Sequence, residues 1–162
     1  MTDDKKIDYI LRTVEERDIR YLRLCFTDVL GNLKALSISP EELEEAFVEG
    51  IGFDGSSVDG FASQAQSDLL AFPDAATFQV LPWENDGEAV ANVFCDIQTP
   101  SRTPFEGDPR RVLERAFRKA DEKGYTMNVG PKLEYFYFTD SVHPTPIDHA
   151  GYLDLASSDL SH

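Results

Sequence analysis

Basic side chains are scarce in this chain. Fifteen Lys and Arg stand against thirty Asp and Glu, a formal net charge of −15 over 162 residues. Nucleic acid and anionic membrane both call for a basic footprint, so neither is an expected partner. No apolar run approaches the roughly 18 residues of a membrane helix. The opening MTDDKKIDYI lacks the apolar segment of a secretory leader, and the expected location is the cytoplasm. Cysteine is limited to Cys25 and Cys95. Without a C-x-x-C neither a zinc ribbon nor a dithiol redox motif is supported, and two buried free thiols are expected. His143, His149 and His162 fit no helical metal pair, and Pro144 and Pro146 break their segment; surface histidines are expected. There is no G-x-x-x-x-G-K, no G-x-G-x-x-G after a strand and no G-x-S-x-G, so the common nucleotide and hydrolase frameworks are not indicated. The acids are scattered rather than gathered in a tail. That pattern suits a solvated surface, and equally adaptation to high salt, where self-repulsion is screened.

What is present suits a packed domain. Hydrophobic residues make up 41% of the chain and aromatics 11%, enough to build a core and too many for disorder. Ile7, Ile10, Leu11 and Val14 form one helical face, with Asp3 and Asp4 near the positive helix start. Residues 20–28 alternate, with Leu22, Leu24 and Phe26 on one side. Gly31-Asn32 gives a turn and residues 33–38 return, which predicts a hairpin. Ser39-Pro40-Glu41-Glu42 predicts a capped helix start, with Leu43, Ala46 and Phe47 inward and a stop at Gly50. Residues 51–68 are Gly- and Ser-rich and aperiodic, a long loop of the kind that often carries function.

Short strands are expected at 78–83 and 89–96, joined by Asn85-Asp86-Gly87. Residues 99–109 hold three prolines and read as a linker. Asp108 then caps a helix whose buried stripe is Val112, Leu113, Ala116, Phe117 and Ala120, ending at Gly124. VGPKLEYFYF, residues 129–138, reads as a buried strand. The expected class is α+β, with one domain over residues 1–107 and the opening of a second over 108–162.

Two places could carry chemistry. Phe53-Asp54-Gly55-Ser56-Ser57 sets a carboxylate and two hydroxyls on a glycine-hinged loop, which can hold a small cation such as ammonium. The plainer reading is a turn in which Asp54 bonds its own backbone. In VGPKLEYFYF, Lys132 and Glu134 alternate onto one strand face with Phe136 and Phe138. Two acids there would suit divalent cations. With a lysine the pair is neutralised, and an exposed ion pair of at most about 1 kcal/mol is the plainer reading.

Taken in order, YLRLCFTDVLGNLKALSI, GFDGSSVDGF, SDLLAFPD, FQVLPW, ANVFCDIQTPSRTPFEGDPRRVL, VGPKLEYFYF and GYLDLASSDL resemble the N-terminal part of type I glutamine synthetases. The resemblance covers nearly the whole chain, and FDGSS and the G-P-x-x-E-[FY]-F strand make it specific. It implies a β-grasp domain ending near Asp108, followed by the start of a catalytic domain. It implies glutamate and ammonia as substrates, ATP and Mg or Mn as cofactors, a γ-glutamyl phosphate intermediate, and double rings of subunits. In those rings the N-terminal domain of one subunit caps the active site of its neighbour.

By the same resemblance Asp54 binds ammonium and helps deprotonate it, Ser57 lies at that site, Glu134 ligates a divalent cation, and Phe61 lies near the nucleotide. Lys132 stands where the family has a second metal-binding glutamate. Ser63 stands where many relatives carry a glutamine-sensing arginine. The expectation is a ligase-family chain that is not catalytically competent alone. The alternatives are a module docking on full-length synthetase subunits and an inert remnant.

Overall fold

A computed structural model describes residues 3–58, 60, 67–83, 89–143 and 145. Phe61, Ser63, the Asn85-Asp86-Gly87 turn, His149 and His162 lie outside the described residues. The chain forms two units, Met1–Thr126 and Met127–His162.

The first unit opens with α1 (Asp3–Glu16), whose Ile10 and Val14 are buried as the spacing predicts. Thr13 joins that face by donating its hydroxyl to the Tyr9 carbonyl at 2.8 Å, so it enters the interior satisfied. The expected hairpin is β1 (Ile19–Thr27) and β2 (Leu33–Ile38), antiparallel with Leu24 opposite Leu36. A short 3₁₀ turn at Pro40–Glu42 leads into α2 (Leu43–Glu49). The Glu42 carboxylate accepts the Ser39 N–H at 2.8 Å, which is the expected reach-back of the capping box. Gly50 ends α2 at φ 74°, where a Cβ would also meet the Phe72 ring at 2.8 Å. Both facts call for glycine.

Four further strands complete one six-stranded sheet: β3 (Ile51–Asp54), β4 (Asp68–Pro73), β5 (Gln79–Val80) and β6 (Ala89–Gln98). The order is β2-β1-β6-β4-β3, with β5 also on β6. β1 and β6 run parallel at the centre, and every other pairing is antiparallel. Leu22, Leu24 and Phe26 of β1 share a face with Ala91, Val93, Cys95 and Ile97 of β6, and with Leu69 and Ala71 of β4. Ile10, Val14, Leu43 and Ala46 of the two helices close that face into the core. The fully buried leucines and isoleucines each contribute about 1.5–3 kcal/mol, more than any exposed ion pair in the chain.

Both cysteines are free and buried, as expected. Cys25 lies opposite Phe94 in the β1–β6 register, so Cys25 and Cys95 occupy opposite faces of the sheet. They cannot pair within the fold.

Five expectations are corrected. Residues 51–54 are not loop but strand β3, paired with 68–71 of β4. Its four residues alternate too briefly to show a period, and Gly52 hides the pattern. The strand expected at 78–83 shrinks to β5; the Leu81 N–H still bonds the Val90 carbonyl at 2.9 Å, but Pro82 has no N–H to continue. Residues 99–109 are not a free linker. The Phe105 N–H bonds the Ile97 carbonyl at 2.9 Å, and buried Asp108 accepts the Ile97 N–H at 3.0 Å.

Asp108 also caps α3 (Pro109–Asp121), accepting the Arg110 N–H at 2.9 Å. The α3 stripe forms but is not buried: Val112, Leu113, Ala116 and Phe117 are all exposed. Amphipathicity selects a face; it does not supply the surface that covers it.

In the second unit, residues 129–137 form no strand and are exposed throughout. A strand needs a neighbour for its N–H and C=O groups, and among the described residues none pairs with it. The alternation survives: Lys132 reaches Glu134 at 3.0 Å, and the Tyr135 and Tyr137 rings meet edge-on at 5.3 Å.

Candidate functional site

The Phe53–Ser57 loop is built from the end of β3. Phe53 is anchored by its ring against Phe26 of β1, with centroids 5.1 Å apart. One residue on, Asp54 pairs with Asp68 and leaves the sheet. Its Oδ1 accepts the Ser56 N–H at 2.9 Å, and this opens a 3₁₀ turn over Gly55–Ser57. Ser57 Oγ donates to the Asp54 carbonyl at 2.8 Å. The Gly55 N–H bonds the Ser67 carbonyl at 2.7 Å. A Cβ on Gly55 would lie 2.5 Å from Leu69 Cδ1, so the loop is pressed onto β4 and a side chain there would push Leu69 aside.

The plainer reading of this stretch, a local Asx turn, is therefore present, and it shapes the site rather than emptying it. Ser57 has used its only proton on the backbone and presents lone pairs. Asp54 takes the Ser56 N–H on Oδ1 and keeps lone pairs in hand on an exposed carboxylate. Asp54 and Ser57 are exposed, with buried Gly55 and buried Val58 on the inner side of the turn. Hydrogen bonding from Ser56, side chain and backbone, holds the Asp54 carboxyl below its ordinary range. The result is an ionised carboxylate beside a hydroxyl that presents lone pairs. That matches a small cation rich in N–H.

Lys132 and Glu134 are brought together, but as an exposed pair. Among the described residues no three His, Cys, Asp or Glu side chains gather into a metal-holding group. A divalent ion of the magnesium or manganese kind needs several oxygen ligands. One carboxylate paired with an ammonium does not by itself hold such an ion, and Lys132 can only donate.

Two features lay outside the sequence reading. Arg110, at the start of α3, bonds Asp74 at 2.5 Å and stands 3.2 Å from Asp96, tying the helix to the sheet. Burial pushes the Asp74 carboxyl up, but bonds from Arg110 and the Ala76 N–H outweigh it and hold it below its ordinary value. For Asp96 burial wins over Arg110 and the carboxyl is raised.

The second is Asp28, fully buried at the tip of the β1–β2 hairpin. Its carboxylate accepts the Leu30 N–H at 2.9 Å, the Asn32 N–H at 2.8 Å and Asn32 Nδ2 at 3.0 Å, with Lys34 Nζ at 3.5 Å. A polar TDVLGN tip reads as an ordinary turn. The available signal was an aspartate placed to bond its own chain two and four residues on.

A mixed six-stranded sheet with its two central strands parallel and two helices packed on one face is a β-grasp domain. Comparison with known proteins carries this further. The glutamine synthetase β-grasp family model matches residues 18–100, and the glutamine synthetase catalytic domain model matches residues 106–157. The chain belongs to the glutamine synthetase family.

The glutamine synthetase of Mycobacterium bovis is 51% identical across 96% of this chain and 36% of its own length. That of Thermotoga maritima is 46% identical, across 92% of this chain and 35% of its own. That of Halobacterium salinarum is 40% identical, across 99% and 36%. The chain thus spans about a third of the length of the curated relatives it matches. Among solved structures, a Plasmodium falciparum glutamine synthetase shares the fold at TM-score 0.66 and 22% identity, over 76% of this chain and 23% of that one. A GmaS/ADP complex matches at TM-score 0.62 and 29% identity, over 70% of this chain and 25% of that one.

Proposed function

We propose that this chain supplies the ammonium-side loop of a glutamine-synthetase-type ligase, which joins ammonia to glutamate at the expense of ATP. The observation that carries the reading is the Asp54–Ser57 turn: an ionised carboxylate oxygen and a hydroxyl whose proton is already used, both exposed on a rigid frame. In this role Asp54 attracts ammonium and Ser57 orients it. A carboxyl held low is a strong electrostatic partner and a weak base. Its first task is therefore to concentrate and hold the cation; relaying a proton from it comes second.

The remaining assignments rest on family membership. Glu134 is offered as one carboxylate of a metal site completed by other parts of the assembly, and Phe61 as a residue near the nucleotide. Mg or Mn and ATP belong to that completed assembly. Lys132 opposes a second metal at the same segment. The chain by itself is therefore proposed to be inactive, and to act against other glutamine synthetase subunits. Residues 1–107 are the N-terminal domain in this reading and 108–162 the opening of the catalytic one.

A test is γ-glutamyl transfer by the purified chain. No turnover is expected, and clear turnover would overturn this part of the reading. In a ring assembled with this segment, Lys132→Glu is expected to raise divalent-cation affinity in a titration. Unchanged affinity would mean that the segment does not face a metal.

A second reading, a docking module, is favoured by one observation: the exposed apolar stripe of α3. Co-elution with a full-length glutamine synthetase at high salt is its expected signature, and separate elution counts against it.

A further inference from the structure

Among the described residues outside the Asp54–Ser57 loop, Asp28 is a fully buried carboxylate hub whose turn lies against Gly60, three residues past that loop. We propose that Asp28 is a positioning residue for the Asp54–Ser57 turn, acting through Val29 and Gly60. The proposal rests on the reading of that turn as the ligand loop only for its consequence, not for the coupling itself.

The chain of contacts is short. Asp28 is inaccessible and receives the N–H groups of Leu30 and Asn32 together with Asn32 Nδ2. Its own backbone closes the same turn: the Asp28 N–H bonds the Asn32 carbonyl at 3.0 Å and the Gly31 N–H bonds the Asp28 carbonyl at 3.0 Å. The turn is thus fixed from both sides, although Val29 and Leu30 are exposed to water. Exposed apolar side chains on a hairpin tip normally wander. Here Val29 is held over the backbone of Gly60. A Cβ on Gly60 would lie 2.4 Å from Val29 Cγ2, and Gly60 takes φ 76°, which a side chain would resist.

Gly60 stands two residues beyond buried Val58, whose N–H bonds the Gly55 carbonyl at 3.1 Å inside the ligand turn. A second strut runs alongside, the Phe26–Phe53 ring contact, with Phe26 two residues before Asp28 and Phe53 one before Asp54. The β1–β2 hairpin therefore braces the loop at its entry, where Phe26 meets Phe53, and beyond its exit, where Val29 meets Gly60. A buried carboxylate at that tip makes the brace rigid, because moving it would strand a charge without its donors.

The test uses this chain and reads amide exchange and the Asp54 titration by NMR. Asp28→Asn turns one acceptor into a donor facing Asn32 Nδ2. Exchange at Gly55 and Val58 is expected to speed up roughly tenfold, the scale of one lost bond to a charged group. Exchange at Val93 and Cys95 in the sheet centre should hold. The Asp54 carboxyl should also titrate higher, because Ser56 no longer sits square to it. The swap Asp28→Asn with Asn32→Asp restores the donor–acceptor match and should restore both readouts, which a loss of general stability would not do.

Val29→Ala tests the coupling without touching the buried charge, so it is informative even if Asp28→Asn unfolds. It should loosen Gly55 and Val58 while leaving the sheet alone. Unchanged exchange at those two amides in Val29→Ala, or no recovery in the swap, overturns the proposal. Failure of Asp54 itself to matter for ammonium would instead strike the functional reading and leave this coupling standing.

Discussion

Asp54 takes the Ser56 N–H on one carboxylate oxygen and carries the rest of its charge on the other. Asparagine preserves the first and neutralises the second. In an active ring containing this segment, Asp54→Asn is expected to lower kcat/KM for ammonium roughly a hundredfold, the scale of one lost charge-stabilising contact. The melting temperature should fall only slightly, since the turn keeps its acceptor and loses only the contribution of the charge. The pH dependence follows from the direction of the shift. A carboxyl held below its unfolded value stabilises the turn above about pH 4 and loses that contribution as pH falls through the folded value. The Ser56 amide resonance should follow the same titration.

Asp74 and Asp96 flank one arginine and should answer with opposite signs. Asp74 is held low, so its contribution is full at neutral pH and lost in acid. Asp74→Asn should cost about 1–2 kcal/mol at pH 7, the worth of a partly exposed charged bond. Asp96 is raised, so its ionisation opposes folding as pH climbs through the folded value. Asp96→Asn should be neutral or slightly stabilising at pH 7. Urea melts of the two variants across pH separate the cases.

Elements whose stability is local were legible in the sequence, and elements that depend on distant partners were not. α1, α2 and the β1–β2 hairpin follow from period, capping and turn residues within about fifteen positions of one another. β3 escaped because its hydrogen bonds go to β4, across a Gly- and Ser-rich stretch with no period of its own. Residues 129–138 showed the opposite failure: the alternation is real, but the ladder that makes a strand is not in the chain segment itself. At the site, residue types pointed to Asp54 and Ser57. That Gly55 is pressed onto Leu69, and that Asp28 is buried, depends on packing no local pattern encodes.

Gly55→Ala should therefore cost about 1–3 kcal/mol by overpacking, measured as a shift in the urea midpoint. Leu113→Lys on α3 should cost no more than about 1 kcal/mol, because that side chain is already half in water. It should still reduce self-association seen by light scattering, since it interrupts the exposed apolar stripe.

For the whole molecule, charge is the dominant fact. A net charge of −15 repels itself across a small domain, and only mobile ions within about 10 Å at 0.1 M salt screen it. Dialysis into low salt is expected to erode structure, read as a loss of ellipticity that salt restores. An unchanged spectrum would set the high-salt reading aside and leave an ordinary acidic surface. Among the described residues no helix is long and apolar enough to cross a membrane.

The two thiols, one on each face of the sheet, amount to a pair of clocks. Each is silent to a maleimide pulse while its own layer is shut. Burial raises both thiols and keeps them unreactive until then. Cys95 is released when α1 and α2 lift from the core face, and Cys25 when the opposite face opens. Mass spectrometry of a timed pulse would then say which side of the sheet gives way first, with no probe added to the chain.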